Sequence, residues 1–179
     1  MTTKDSHLIE TPDAELAMPH PPTEHTEAKP HCIVALGASA GGLEALEAFF
    51  TAMKPTDLLS FVVIQHLSPD FKSLMDEILS RQTTMPIHRV EDGMEILPGH
   101  IYLIPPKKEM TVRSGQLFLT DKESARPLEM PIDIFFRSLA QDAGPMAVGV
   151  ILSGTGTDGS RGVTAIHEAG GLVLVQSPD

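Results

Sequence analysis

From Cys32 to Gln176, short runs built almost wholly of apolar residues alternate with stretches long enough for a helix, and this alternation restricts the fold more than any other feature. Cys32–Leu36 (CIVAL), Phe61–Gln65 (FVVIQ), Ala147–Leu152 (AVGVIL) and Leu172–Gln176 are apolar at nearly every position, which suits strands buried on both faces. Leu43–Met53 (LEALEAFFTAM) spaces its apolar residues for a helix that stops before Pro55. Further helices are expected from Phe71 to Gln82, from Pro131 to Gln141 with proline in the first turn, and from Ser160 to Ala169. Pro86–Val90 and Ile101–Ile104 read as strands on either side of a turn at Glu91–Gly93. Met110–Arg113 and Gln116–Thr120 flank Ser114–Gly115 as a β-hairpin. Strands joined by helix-length segments need right-handed crossovers. The expected fold class is therefore α/β: a doubly wound, mostly parallel sheet with helices on both faces and one antiparallel β-hairpin.

Residues 1–30 are of another kind. They hold five prolines, two lysines and six acidic residues with almost no apolar periodicity, so they cannot bury enough surface to offset the entropy of ordering them. This segment is expected to be a disordered leader ahead of one domain over 31–179. His7, His20, His25 and His31 fall in it or at its edge without metal-ligand spacing and read as polar tail residues.

Composition narrows the function. Thirteen Lys and Arg against 24 Asp and Glu give a net charge of −11, which argues against a nucleic-acid surface. Trp is absent and Tyr102 is the single tyrosine, so base-stacking platforms are not expected. One cysteine, Cys32, excludes an internal disulfide and any multi-cysteine metal cluster, and it fits a reducing, cytoplasmic setting. No apolar run reaches the roughly 18 residues of a membrane span, and MTTKDSHLIE lacks the basic and apolar regions of a secretory signal. Neither a metal nor a cofactor is expected.

In open α/β sheets, sites form beyond the carboxyl ends of the strands. Three loops stand there. Gly37-Ala38-Ser39-Ala40-Gly41-Gly42 satisfies G-x-S-x-G between a strand and a helix, where a serine hydroxyl is pushed out above the sheet and the helix offers unpaired N–H groups. The same loop also reads as a tight packing turn or a phosphate cradle. Gln65-His66-Leu67-Ser68-Pro69 presents a histidine able to act as general base, or to serve only structure. Gly154-Thr155-Gly156-Thr157-Asp158-Gly159 matches the dinucleotide fingerprint G-x-G-x-x-G, yet the acid expected about 20 residues on could only be Asp179, the last residue. Its other reading makes Asp158 the acid that orients the histidine, or else a solvated residue or helix cap.

Jointly these loops say more. Ser39, His66 and Asp158 each end a different apolar run, so one rim of one sheet presents all three. The order Ser, His, Asp differs from the Ser, acid, His order of ordinary α/β-hydrolases. Restoring that order would pair Asp158 with His167, which lies inside the following helix.

The phrases IVALGASAGGLEAL, FVVIQHLSPDF, EDGMEILPGHIYLIPP and AVGVILSGTGTDGSRG resemble the catalytic domain of CheB-type protein-glutamate methylesterases, from about Cys32 to the chain end. The resemblance implies a chemotaxis enzyme of two-component signalling that hydrolyses glutamate γ-methyl esters on the cytoplasmic helices of chemoreceptors, releases methanol and in many members deamidates glutamine. By matching position it implies Ser39 as nucleophile, His66 as base and Asp158 as orienting acid, with oxyanion donors from the backbone around Ala40, Thr155 and Gly156. The stretch PIDIFFRSLA resembles the subgroup fused to a CheR-type methyltransferase. Many members carry threonine at the place of Ala40, and methionine and asparagine at those of Thr155 and Thr157. Thirty leading residues are too few for a receiver domain of about 100. The family continues past the last expected strand, so the domain is expected to be C-terminally incomplete. A catalytically weak scaffold domain and a nucleotide- or phosphate-binding module are the alternatives.

Overall fold

A computed structural model describes residues 31–39, 42–65, 74–122, 130–152 and 157–177. The expected leader, and with it His7, His20 and His25, lies outside the described residues, as do Ala40, His66, Thr155, Gly156 and Asp179.

Strand β1 (Cys32–Ala38) leads into α1 (Leu43–Ala52), β2 (Leu59–Gln65) and α2 (Met75–Leu79). Then come β3 (Ile87–Arg89), β4 (Met94–Glu95), β5 (Ile101–Leu103), β6 (Lys108–Arg113) and β7 (Gln116–Asp121). Helix α3 (Pro131–Ala143), β8 (Ala147–Ile151), α4 (Ser160–Glu168) and β9 (Leu172–Val175) follow. Six strands form one sheet in the order β3-β5-β2-β1-β8-β9, every pair parallel. The doubly wound parallel architecture expected from the apolar runs is the one observed.

Each face of this sheet carries its own core. Leu46 and Phe50 of α1 and Leu79 of α2 pack with Leu36, Phe61 and Val63 on one side. Phe135, Phe136 and Leu139 of α3 and Ile166 of α4 pack with Ala35 and Val62 on the other. The strand runs are apolar at consecutive positions because both sides of each strand are covered. The helix after β1 lies on one face and the helix after β8 on the opposite face. Since β1 and β8 are adjacent, their carboxyl ends flank a topological switch point, where such sheets open a crevice.

The expected hairpin forms, with Ser114 (φ 52°) and Gly115 (φ 71°) at its turn, both in the left-handed region that two-residue hairpin loops demand. Two differences from expectation have local causes. Strand β1 runs on through Gly37 and Ala38, which pair with Ile64 and Gln65 of β2, so the glycine-rich turn starts later than its composition indicates. Strand β4 was not expected. Its two residues pair antiparallel with β7 and make the hairpin a three-stranded sheet, too short a pairing to leave a period in the sequence. The small sheet is tied to α3, where Ser138 Oγ accepts the Val112 N–H at 3.0 Å and donates to the Phe135 carbonyl at 2.8 Å.

Candidate functional site at the carboxyl rim of the sheet

Ser39 directly follows β1 and is half-buried. Its carbonyl accepts the Gly42 N–H at 2.9 Å, and a Cβ at Gly42 would stand 2.6 Å from Ala38 Cβ, so the chain turns sharply into α1. Ala38, the residue before Ser39, pairs with Gln65, the residue before His66 in the sequence. Position 66 itself, like the backbone donors expected at Ala40, Thr155 and Gly156, lies outside the described residues.

Asp158 stands in the turn between β8 and α4, half-buried. It is neither a solvated loop residue nor the cap of its own helix. Its two carboxylate oxygens accept N–H groups from the first turn of α3: Ile132 to Oδ2 at 3.1 Å and Asp133 to Oδ1 at 2.9 Å. Proline at the first position of α3 has no N–H to offer, so the next two donors of that turn point at the carboxylate, where the helix dipole favours negative charge.

One side chain joins the Ser39 strand to the Asp158 turn. A Cβ on Gly37 would lie 2.6 Å from Ile132 Cγ2, and a Cβ on Gly159 would lie 3.0 Å from the same atom. Ile132 therefore seats between the residue two before Ser39 and the residue after Asp158, and both places need glycine for close approach. At Gly159 the backbone also takes a φ of 95°. The structure thus brings the Ser39 and Asp158 segments to one rim through the first turn of α3.

Asp133 is a site residue that single-loop reasoning missed. It is 5% exposed, its Oδ1 accepts the Gly162 N–H of α4 at 2.7 Å, and its Oδ2 is buried without a hydrogen-bond partner among the described residues. Its only signal in the sequence is an acid in an otherwise apolar helix start. Gln65 Oε1, at the end of β2, is likewise buried without a partner among the described residues.

Other polar residues lie elsewhere. His167 is exposed on α4. Lys107 is exposed in a left-handed turn, and Lys108 Nζ bridges Asp121 at 2.6 Å. His31 Nε2 lies 3.1 Å from Ser60 Oγ, and among the described residues no group of three His, Cys, Asp or Glu side chains could hold a metal ion. His88 Nε2 and His100 Nδ1 are 3.0 Å apart. His100 immediately precedes β5, at the amino end of the sheet, and its pKa is held below the usual histidine value by burial and then by the neighbouring His88. A cleft of about 430 Å³ between β6, β7 and α3 is lined by Arg113, Phe118, Gln141 and Asp142 and includes neither Ser39 nor Asp158. No helix among the described residues is long and apolar enough to cross a membrane.

Comparisons with known proteins bear on this rim. A protein-glutamate methylesterase/protein-glutamine glutaminase 1 of Xanthomonas campestris pv. campestris is 40% identical over 148 residues, covering 80% of this chain and 41% of that protein. A protein-glutamate methylesterase/protein-glutamine glutaminase of Yersinia pestis bv. Antiqua is 37% identical over 149 residues, covering 81% of this chain and 42% of that protein. The chain thus spans about two-fifths of the length of these curated relatives. The crystal structure of the Thermotoga maritima CheB methylesterase catalytic domain superposes with a TM-score of 0.70 at 26% identity, covering 80% of this chain and 78% of that one. Residues 34–179 match the sequence model of the CheB methylesterase family, a span that includes both Ser39 and the turn holding Asp158. A parallel sheet whose switch point carries these two segments, together with that match over most of its length, makes the chain a member of the CheB methylesterase family.

Proposed function

We propose that this chain is a protein-glutamate methylesterase module: a serine hydrolase that demethylates glutamate γ-methyl esters on the cytoplasmic helices of chemoreceptors and deamidates glutamine there, with no cofactor. Ser39 Oγ attacks the ester carbonyl while His66 takes its proton. Asp158 holds the imidazole in the productive tautomer and stabilises the imidazolium. Backbone N–H groups around Ala40, Thr155 and Gly156 receive the oxyanion. His66 gives the proton to the methoxide oxygen as its bond to carbon breaks, so that methanol leaves, and water clears the acyl-enzyme by the same route. A general base in contact with the nucleophile contributes about a hundred- to ten-thousand-fold.

The observation that carries this reading is the shared seat of Ile132 against Gly37 and Gly159, which places the strand end before Ser39 beside the turn of Asp158. The pairing of Ala38 with Gln65 supports the place of His66 in the triad, because β1 and β2 end side by side. The nucleotide-binding alternative is disfavoured, because the Gly162 N–H of the first turn of α4, where a phosphate would dock, already donates to the Asp133 carboxylate. The names of the two bacterial relatives pair methylesterase with glutaminase activity, and we carry both to this module. A CheR-type methyltransferase, separate or fused, is the partner that would supply the methyl ester.

The test is methanol release from methylated receptor, with fluorophosphonate labelling alongside, for the parent and for Ser39→Ala. Loss of both signals by several orders of magnitude with the folded state intact is expected. Equal release from the two proteins would sink the assignment of the nucleophile.

A further inference from the structure

A carboxylate buried with one oxygen unpaired costs stability. Asp133 bears that cost at the junction of α3 and α4, with Oδ2 unpartnered among the described residues and Oδ1 fixed on the Gly162 N–H at 2.7 Å. The same residue's backbone N–H is one of two from α3 that hold Asp158. Gly162 makes the approach possible: a Cβ there would lie 2.5 Å from Phe136 Cβ and 3.3 Å from Asp133 Cα. Asp133 therefore grips the turn of α4 that follows Asp158 and, with its own N–H, grips Asp158 itself.

We infer that Asp133 is a positioning residue: its carboxylate sets the first turn of α4 against α3 and so fixes where the Asp158 carboxylate stands at the rim. The inference rests on the serine-hydrolase reading above and adds a residue to it. Asp133 acts through Asp158 rather than on a reacting atom. Displacement of about 1 Å at a supporting group can cost on the order of a hundredfold in rate. A change confined to this one contact should therefore be read in the chemistry of Ser39.

The experiment follows the second-order rate of Ser39 labelling by a fluorophosphonate across pH, in the whole chain, with folding checked by circular dichroism and thermal unfolding. The parent and Ser39→Ala are run first. A parent that does not label at Ser39 overturns the hydrolase reading and this inference with it. Given a labelling parent, Asp133→Ala is expected to label about a hundredfold more slowly. Its acid limb should move to lower pH, because an imidazole that loses its carboxylate neighbour gives up its proton more readily. Asp133→Asn keeps an oxygen for Gly162 and is expected to recover labelling to within about tenfold of the parent. Asp133→Glu keeps charge and acceptor but displaces the carboxylate by one methylene, and it guards against an alanine variant that fails to fold. It is expected to label at least about tenfold more slowly than the parent. Folded Ala or Glu variants that label at the parent rate with the parent's pH profile would overturn the positioning role, as would an Asn variant no better than Ala.

Discussion

Asp133 and Asp158 each close the other's helix. The Asp158 carboxylate, in the turn before α4, takes two N–H groups from the first turn of α3, while the Asp133 carboxylate, in that turn of α3, takes one from the first turn of α4. First-turn N–H groups have no partner within their own helix. Here two helices packed side by side satisfy part of that need mutually, and the exchange holds one of the proposed triad members in place.

Removing the Asp158 carboxylate should loosen the start of α3. Asp158→Ala is expected to lower stability by about 1–2 kcal/mol, the usual cost of a lost N-terminal acceptor. Asp158→Asn, which keeps one oxygen, should lose less. Urea unfolding of the two variants checks the order, and equal stability of Ala variant and parent would contradict the capping role.

Gly162→Ala tests the closeness of α3 and α4. The new methyl would begin 2.5 Å from Phe136 Cβ, and neither atom belongs to a flexible chain end. Overpacking of this kind costs about 1–3 kcal/mol. A fall in thermal midpoint is expected despite alanine's better helix propensity, and a rise would show that the helices separate without loss.

Phe50 lies at the centre of the other core. It is fully buried, with Phe49 and Phe61 edge-on at ring-centroid distances of 5.2 and 5.6 Å. Phe50→Ala should destabilise the domain by about 3–5 kcal/mol, read as a lower denaturant midpoint.

Stability should fall on acidification through His100. The folded pKa of His100 is lowered below the ordinary 6.5, by burial first and by His88 second, so the unfolded chain binds the proton more readily. The loss begins as pH falls through about 6.5 and is complete below the folded pKa; above 6.5 this group contributes no pH dependence. Replacing His100 with Asn should flatten the stability–pH curve between pH 7 and 5. An unchanged slope would show that another group governs it.

The sheet was legible because its strands are buried on both faces, so the runs around Val34, Val63 and Val150 needed no partner to be recognised. Their ends were less so: Gly37 and Ala38 have the composition of a turn, and only pairing with Ile64 and Gln65 makes them strand. Strand β4 is two residues long and exists through β7 alone. Ser39 and Asp158 were visible as loop residues after apolar runs, whereas the partners of Asp158 were not.

By itself, the sequence determined the parallel α/β class and the rim on which Ser39 and Asp158 stand, because burial on two faces is written into consecutive residues. Only the tertiary structure decided that Asp158 closes α3 and that Asp133 answers from it to α4. Those hydrogen bonds join residues 25 to 29 positions apart, and no local periodicity records which backbone donors a folded chain will bring to a carboxylate.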